Sequence, residues 1–354
     1  FTCCFIYEDG KKEKMTYTVS KKTIEEFKSY IDLHTAVIIE ASTNTFKFVE
    51  AIRDYVKEVV IVNTYKMKMI PMAHKKTDKI DAEKLAIYLK MCKSSGEELI
   101  KPVYLPEQKI QDLRSLFTTF DLVKRHIGSL KNRIHSILKQ HLHHFTKEYI
   151  FGKKSRDEIR NLDLNQIASF QINLLFDELE AKEKLSDHII DKIKVIGSQY
   201  ITEIDVLTSM TGISVTTALA TIADIARVDR FPNAKHFTSY LRSAPEVDSS
   251  NEVTIIKGTN KLGRKLSVSL LSQSLNHFRD SNPRLKNWYE KKAPFHKRKG
   301  KLRMALCRKV FAEMYHMLDK QEYHYFRNRE LHNKKMNEYY KFLEEHGVEF
   351  KKSA

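Results

Sequence analysis

A run of apolar residues at heptad spacing constrains the fold of this chain most. Eight apolar residues stand alternately three and four positions apart: Leu113, Leu116, Phe120, Val123, Ile127, Leu130, Ile134 and Ile137. An unbroken seam over more than three heptads is typical of a coiled coil, although one helix of an ordinary bundle is the alternative. Residues 166–202 repeat the pattern more weakly, with polar interruptions at Lys182 and Ser186. We therefore predict two long antiparallel helices that form a stalk or pair with another protomer.

The first sixty residues alternate between strand and helix patterns. Strands are predicted at about residues 2–7, 14–19, 36–40 and 59–63, with a tight turn at Glu8-Asp9-Gly10 between the first two. Helices are predicted at about residues 20–30 and 45–57. The order β-β-α-β-α-β indicates an α/β domain with a mixed sheet and suggests an RNase-H-like fold.

The pattern of apolar and charged residues changes three times along the chain, which predicts four regions. The heptad pattern follows Pro102 and Pro106, and an Ala/Thr-rich helix pattern begins after Gly212. The predicted regions are an RNase-H-like domain at 1–105, a coiled-coil helical stalk at 106–204, a mostly α-helical domain at 205–320, and a charged, helical and peripheral tail at 321–354.

An excess of positive charge points to a polyanionic partner. The chain has 62 Lys and Arg against 45 Asp and Glu, a formal net charge of +17. Much of this charge lies in two segments, 122–147 and 284–309, that have almost no acidic residues. This concentration favours contacts with nucleic-acid phosphates over a merely solvated helix face. The basic candidates are Lys124, Arg125, Lys131, Arg133, Lys297, Arg298 and Lys299. Trp288, Tyr289 and Phe295 lie in the second segment and either stack on bases or belong to the core.

Other patterns narrow the class of protein. No apolar run is long and uncharged enough for a membrane helix, and no signal peptide is visible. The four cysteines show neither disulfide nor zinc spacing. We therefore expect a cytoplasmic protein.

Three carboxylates form a candidate magnesium site. Glu40 ends an apolar strand, and Asp78 and Asp81 stand three residues apart at the start of a predicted helix. That spacing puts both aspartates on one helical face, and hard oxygen ligands of this kind suit Mg²⁺. The alternative is structural, with Asp78 as N-cap and Asp81 in the first turn, and spacing alone favours it.

These residues carry a resemblance to a known family. Glu40 after an apolar strand, followed by Thr77-Asp78-Lys79-Ile80-Asp81-Ala82, resembles the DEDD transposases of the insertion-sequence-110 family. Residues 207–213 resemble the entry to the family's helix-hairpin-helix, and residues 230–241 its next block. Pro245 with Ser250 five residues later, then Lys257, Asn260 and Arg264, resembles the block that carries its nucleophilic serine.

The resemblance implies a prokaryotic, nucleoid-associated enzyme that recombines DNA. It implies Mg²⁺ held by Glu40, Asp78 and Asp81, and Ser250 as the nucleophile that forms a covalent phosphoserine intermediate. Lys257, Asn260 and Arg264 then join the residues expected to bind nucleic acid. The implied partners are donor and target DNA, a structured guide RNA, and further copies of the chain in a homodimer or homotetramer.

The sequence departs from the family pattern at several positions. The family's tetrad begins with an Asp in the first strand, whereas no acidic residue precedes Glu8 here. We expect that Asp just upstream of Phe1, and we expect the chain as it stands to be impaired. Ser243-Ala244 replaces Gly-Leu before the proline, Asn251 replaces a glycine, and Ser249 is a neighbouring candidate nucleophile. The alternative functions are a metal-dependent junction nuclease and a non-catalytic transposase remnant that binds nucleic acid.

Overall fold

The computed structural model describes residues 1–63, 77–96, 102–250, 253–259, 263–296 and 299–352. For residues 147–148, 153, 247–250 and 253–257 it describes the backbone alone. The chain divides into two compact units, which we call unit 1 (Phe1–Pro106) and unit 2 (Glu107–Ala354). The functional division into four regions stays a prediction.

Unit 1 is an α/β unit whose element order agrees with the prediction. Its elements are β1 (Thr2–Ile6), β2 (Lys12–Thr16), α1 (Lys21–Lys28), β3 (Ala36–Glu40), α2 (Thr45–Ile52), β4 (Glu58–Val62) and α3 (Asp78–Ser95). Strands β1 and β2 pair antiparallel, with Cys4 opposite Lys14, and β3 and β4 pair parallel, with Ala36 opposite Glu58. Within the described residues, the predicted single mixed sheet is not formed: the four strands make one antiparallel pair and one separate parallel pair.

Side-chain alternation gives unit 1 its layers. Cys3 and Phe5 of β1, with Val37 and Ile39 of β3, pack on a buried cluster made by Phe27, Ile31, Ile52 and Val56. Because alternate residues of a strand face opposite sides, Cys4 and Glu40 belong to the other face. Helix α3 packs against β1 and β3. Helices thus lie on either side of the strands.

Unit 2 is mostly helical and also contains a β-hairpin. Its elements are α4 (Gln108–Gln140), α5 (Lys147–Ile150), α6 (Lys153–Arg160), α7 (Gln166–Ile196), α8 (Ile201–Thr208), α9 (Val215–Ile225), α10 (Ala234–Tyr240), β5 (Pro245–Ser250), β6 (Val253–Thr259), α11 (Leu266–Gln273), α12 (Leu275–Ser281), α13 (Pro283–Lys292), α14 (Lys299–Lys320) and α15 (Arg329–Glu345). None of the described helices is long and apolar enough to cross a membrane.

The two predicted long helices pack against each other within one chain. The Tyr200 hydroxyl donates to Glu107 at 2.5 Å, and Lys131 pairs with Glu183 at 3.3 Å, so α4 and α7 run antiparallel. The heptad seam of α4 faces the core of unit 2: Leu113, Phe120, Val123, Ile127, Ile134 and Ile137 are buried, and Leu116 and Leu130 are partly buried. An apolar seam of this length buries enough surface to define the pair.

The C-terminal segment belongs to the same core, so the prediction of a peripheral tail is wrong. His332, Met336, Tyr339 and Leu343 of α15 are buried because their spacing places them on one helical face. The ammonium of Lys335 donates to the carbonyl oxygens of Thr208 (3.2 Å) and Ile213 (2.9 Å). The charged residues of this segment lie on its outer face, and they obscured the buried face in the sequence pattern.

Candidate functional site

The first turn of α3 carries the two predicted metal-binding aspartates. Thr77 is the N-cap, since its hydroxyl accepts from the amide of Ile80 at 3.4 Å. Asp78 is exposed and Asp81 is half-buried, both in the first helical turn. The alternative that Asp78 caps the helix is therefore wrong, although a first-turn position still favours a carboxylate through the helix dipole.

Glu40, the third candidate carboxylate, lies in the β3–β4 strand pair. It is the last residue of β3, exposed, and opposite Val62 of β4. By contrast, Glu83 on α3 pairs with Lys12 at 2.8 Å and Lys14 at 2.5 Å, which holds the first turns of α3 beside β2. The hydrogen bonds from these two lysines lower the pKa of Glu83 to about 2.

The donor chemistry of the predicted site fits magnesium, whereas the arrangement does not form a closed site. All three candidates are carboxylates, the ligand type that Mg²⁺ prefers. In the parts of the chain that the structure describes, no three His, Cys, Asp or Glu side chains lie close enough to hold a metal ion. Glu83 attaches α3 to Lys12 and Lys14 of β2, whereas Glu40 ends β3 in the separate β3–β4 pair.

Ser250 stands at the far end of the β5–β6 hairpin. It is the last residue of β5 and pairs with Val253, whereas Pro245 at the other end pairs with Thr259. This hairpin differs from the prediction of a mostly helical region at 205–320. The β-branched residues of the segment Val253–Thr259 were the signal that could have revealed β6.

The segment Gly263-Arg264, which follows the hairpin in sequence, is fixed to the end of α10 by hydrogen bonds. The amide of Arg264 donates to the carbonyl of Tyr240 at 2.9 Å, and Arg242 Nε donates to the carbonyl of Gly263 at 2.8 Å. Gly263 has φ 105, and a Cβ atom there would lie 3.0 Å from the carbonyl carbon of Tyr240 and closer still to its oxygen. Only glycine fits this junction without moving the backbone.

Arg264, a predicted nucleic-acid contact, lies at the C-terminal end of α9. Its Nε donates to Oδ1 of the buried Asp224 at 3.3 Å, and its side chain is 38% exposed. Arg114 reaches the same helix end and donates to the carbonyl oxygens of Ala223 (2.7 Å) and Asp224 (3.0 Å). Arg230 donates to the carbonyl of Ile225 at 3.0 Å. Neither Arg114 nor Arg230 was a predicted contact, because no local sequence pattern marks either residue.

The basic candidates on α4 differ in their surroundings. Lys124, Arg125 and Arg133 are exposed, and Arg125 pairs with Asp121 one turn earlier at 3.3 Å. Lys131 is half-buried and already pairs with Glu183 of α7. Lys124 and Arg133 are therefore exposed to a polyanion directly, whereas Arg125 and Lys131 each already pair with a carboxylate.

The three aromatic residues of the second basic segment differ in exposure. Trp288 and Tyr289 are partly buried against the core, with Lys309 over the Trp288 ring (4.8 Å) and Arg279 over the Tyr289 ring (5.3 Å). Phe295, in the turn between α13 and α14, is 83% exposed.

The remaining predicted contacts are described less completely. Lys299 is exposed at the start of α14. The backbone alone is described for Lys257 in β6, and Asn260, Lys297 and Arg298 lie outside the described residues.

Two family models match separate parts of the chain, one with the candidate carboxylates and one with Ser250. Residues 1–143 match a model of IS110-type DEDD transposases, described as "Transposase". Residues 204–290 match the model described as "Transposase IS116/IS110/IS902 family". No curated protein matches the chain significantly. The first range contains Glu40, Asp78 and Asp81, and the second contains Ser250. A DEDD transposase domain implies an RNase-H-like fold, and DEDD transposases depend on a divalent metal, typically Mg²⁺.

Proposed function

Because the chain carries both transposase domains of the IS110 family, we propose that it exchanges DNA strands under the guidance of an RNA, through attack of Ser250 on a DNA phosphate. The observation that carries the proposal is the order of the two matched ranges, with the carboxylates in the first and the serine in the second.

The proposed step is a transesterification. The Ser250 Oγ bonds to phosphorus and releases its proton, while one bridging oxygen of the phosphodiester leaves and takes up a proton. The product is a phosphodiester between Ser250 and the DNA, which conserves the energy of the broken phosphodiester bond. A free DNA hydroxyl can then attack this phosphorus, release the serine and join a new strand. Ser250 is the last residue of β5, next to the turn of the hairpin, and such a position suits a nucleophile that must reach into a DNA backbone.

The proposed metal ligands are Glu40, Asp78 and Asp81. A bound Mg²⁺ would polarise the phosphate and favour ionisation of the serine hydroxyl. The support is the donor type of the three residues and the metal dependence of DEDD transposases.

The proposed partners follow from charge and from exposed apolar residues. The exposed Lys124, Arg125 and Arg133 on α4 supply phosphate contacts for DNA or the guide RNA. On α7, Phe170 (65% exposed) and Leu174 (55% exposed) lie one turn apart on the outer surface. We propose that this face of the α4–α7 pair forms a coiled coil with a second copy, giving a homodimer or homotetramer.

The decisive experiment looks for a covalent intermediate. The full chain would be incubated with Mg²⁺, DNA from the ends of its element and RNA transcribed from the flanking non-coding sequence, and then denatured and resolved by electrophoresis. The proposal predicts a protein–DNA adduct that Ser250→Ala abolishes and that the neighbouring Ser249→Ala retains.

Each other result has a defined meaning. Cleavage without an adduct, indifferent to Ser250→Ala, would identify a nuclease that uses water and would refute the serine mechanism. Binding without cleavage would identify a non-catalytic nucleic-acid-binding protein. Strand exchange that persists without RNA would remove guidance from the proposal.

A further inference from the structure

Phe295 stands at the tip of a helical hairpin in unit 2. Helices α13 and α14 follow each other through a short connection, and Nδ2 of Asn282, just before α13, donates to Glu313 in the second half of α14 at 3.3 Å. The two helices therefore run antiparallel. The connection begins with a 3₁₀ turn, Ala293–Phe295, and the Phe295 side chain there is 83% exposed.

The exposure of Phe295 results from the way α13 ends. Trp288 lies seven positions earlier and is partly buried against the core, so two further helical turns would bring Phe295 to the same face. Instead α13 ends at Lys292, and Pro294 opens the 3₁₀ turn, which the amide of His296 closes by donating to the carbonyl of Ala293 at 3.3 Å. Single exposed apolar side chains are common on protein surfaces, so exposure alone assigns no role to this ring.

The charge around the ring is what distinguishes it. Four exposed lysines flank the tip, two in the last turn of α13 and two in the first turn of α14: Lys291, Lys292, Lys299 and Lys301. Cations suit the end of α13 but oppose the dipole at the start of α14, whose first turn has no acidic residue. Among the described residues, none of the four pairs with a carboxylate. An anion at the tip would therefore relieve an unfavourable arrangement of charge.

The isolation of the ring indicates what kind of anion fits. Phosphates alternate with bases along a nucleic-acid strand, which matches an aromatic ring with lysines on either side. Surfaces that bind a long single strand place several aromatic rings in a row. Here no other aromatic ring of the described residues lies against Phe295. One ring at a tip instead suits a single base step, as do the apolar side chains that other proteins insert into DNA.

From these features we infer that Phe295 and the four lysines bind DNA at the point where its duplex opens. The ring stacks on the first unpaired base, and the lysines contact the neighbouring phosphates. The inference rests on the proposed function, because a DNA strand can pair with a guide RNA only after it leaves its own duplex. The site holds the opened strand and takes no part in the attack by Ser250.

The first experiment leaves the protein unchanged. A forked DNA, paired along one half and unpaired along the other, would carry an abasic nucleotide at each unpaired position in turn, and its affinity for the full chain would be measured. Each abasic nucleotide removes a base and keeps the phosphate. We expect a loss of about tenfold at the unpaired position next to the duplex and less than about twofold elsewhere. Equal effects at every position would overturn the inference.

The second experiment changes the ring. Phe295→Ala should weaken binding of the forked DNA about tenfold and binding of fully paired DNA by less than about twofold. The slope of log affinity against log salt should stay the same, because no charge is removed. Phe295→Leu keeps an apolar side chain without a ring and should bind as weakly as Phe295→Ala. The control is Leu33→Ala in unit 1, which removes a side chain that is 67% exposed and should change neither affinity.

Combining the two experiments tests the contact itself. In Phe295→Ala, the abasic nucleotide next to the duplex should cause no further loss, because its stacking partner is already gone. Full binding by Phe295→Leu would overturn stacking, and equal weakening of forked and paired DNA would overturn the assignment to an opened duplex. Weakened self-association with unchanged DNA binding would identify a contact between copies and would also overturn the inference.

The outcomes separate this inference from the proposed function. If the full chain binds no DNA, both fail together. If it forms the Ser250 adduct while the abasic scan is flat, only the stacking site fails. If the scan gives the expected pattern and no adduct forms, the site stands and the serine mechanism fails. A scan that finds its sensitive position in the RNA strand of an RNA–DNA fork, and none in DNA, would overturn the assignment to DNA.

Discussion

Replacing Gly263 by alanine tests whether the hairpin that carries Ser250 depends on one backbone junction. The residue has φ 105, where a side chain is strained, and a Cβ atom would overlap the carbonyl group of Tyr240. The chain can relieve the overlap only by moving Gly263 away from α10. That movement would break the 2.9 Å bond from the Arg264 amide to Tyr240 and the 2.8 Å bond from Arg242 to Gly263.

The magnitude follows from these terms. A non-glycine residue at a disfavoured backbone conformation costs about 1–3 kcal/mol. Two lost hydrogen bonds add about 1 kcal/mol each. We therefore expect Gly263→Ala to lower the free energy of unfolding by about 3–5 kcal/mol, which for a unit of this size corresponds to a fall in Tm of about 6–20 °C.

Gly258 on β6 supplies the matched control. Nothing lies within 4 Å of a Cβ atom built there, so Gly258→Ala should leave stability unchanged or raise it by about 0.5–1 kcal/mol. Both variants would be unfolded by heat and by urea and then assayed for the Ser250 adduct. Equal stability of the two variants would refute the reasoning, because it would mean that the junction tolerates a side chain.

Three further predictions concern single side chains. Phe176→Ala on α7 should lower the free energy of unfolding by about 3–5 kcal/mol, since Phe176 is fully buried. Phe170→Ala on the same helix should lower it by under about 0.5 kcal/mol, because Phe170 is exposed, but should weaken self-association measured by ultracentrifugation. Glu83 has a pKa lowered to about 2, so it stabilises the fold above about pH 4.5, and this contribution disappears as the pH falls towards 2; the acid-induced loss in Tm should therefore be smaller in Glu83→Gln. Phe295→Ala should weaken binding of single-stranded DNA about tenfold and Phe295→Tyr should restore it, as measured by fluorescence anisotropy, because a stacking residue needs only an aromatic face.

Much of the fold could be predicted because it depends on local periodicity. The α4 seam places an apolar residue every three or four positions, and the helix Gln108–Gln140 buries those positions as the pattern requires. The strand at residues 36–40 was likewise marked by its continuous apolar run. The α15 segment was misjudged because its inner face, at His332, Met336 and Tyr339, mixes polar with apolar residues.

The candidate site was harder to predict because its residues come together only through the fold. Asp78 and Asp81 share a turn, which their spacing revealed, but no pattern shows that Glu83 attaches this turn to β2. Arg114 precedes Asp224 by 110 residues, and only the packing of α4 against α9 brings them together. Contacts of this range leave no local trace in a single sequence.

The C-terminal helix α15 joins three segments of unit 2 through side-chain hydrogen bonds. The ammonium of Lys335 joins the last turn of α8 to the turn before α9, and its burial lowers its pKa, so the contact is held against an electrostatic cost. The hydroxyl of Tyr339 donates to the carbonyl of Lys194 near the end of α7 at 2.8 Å. The Lys335 bonds hold the turn that leads into α9, and the Tyr339 bond holds the last turn of α7. The C-terminal helix therefore supports the fold of unit 2 from within its core, because its polar side chains satisfy carbonyl oxygens of α7, α8 and the turn before α9.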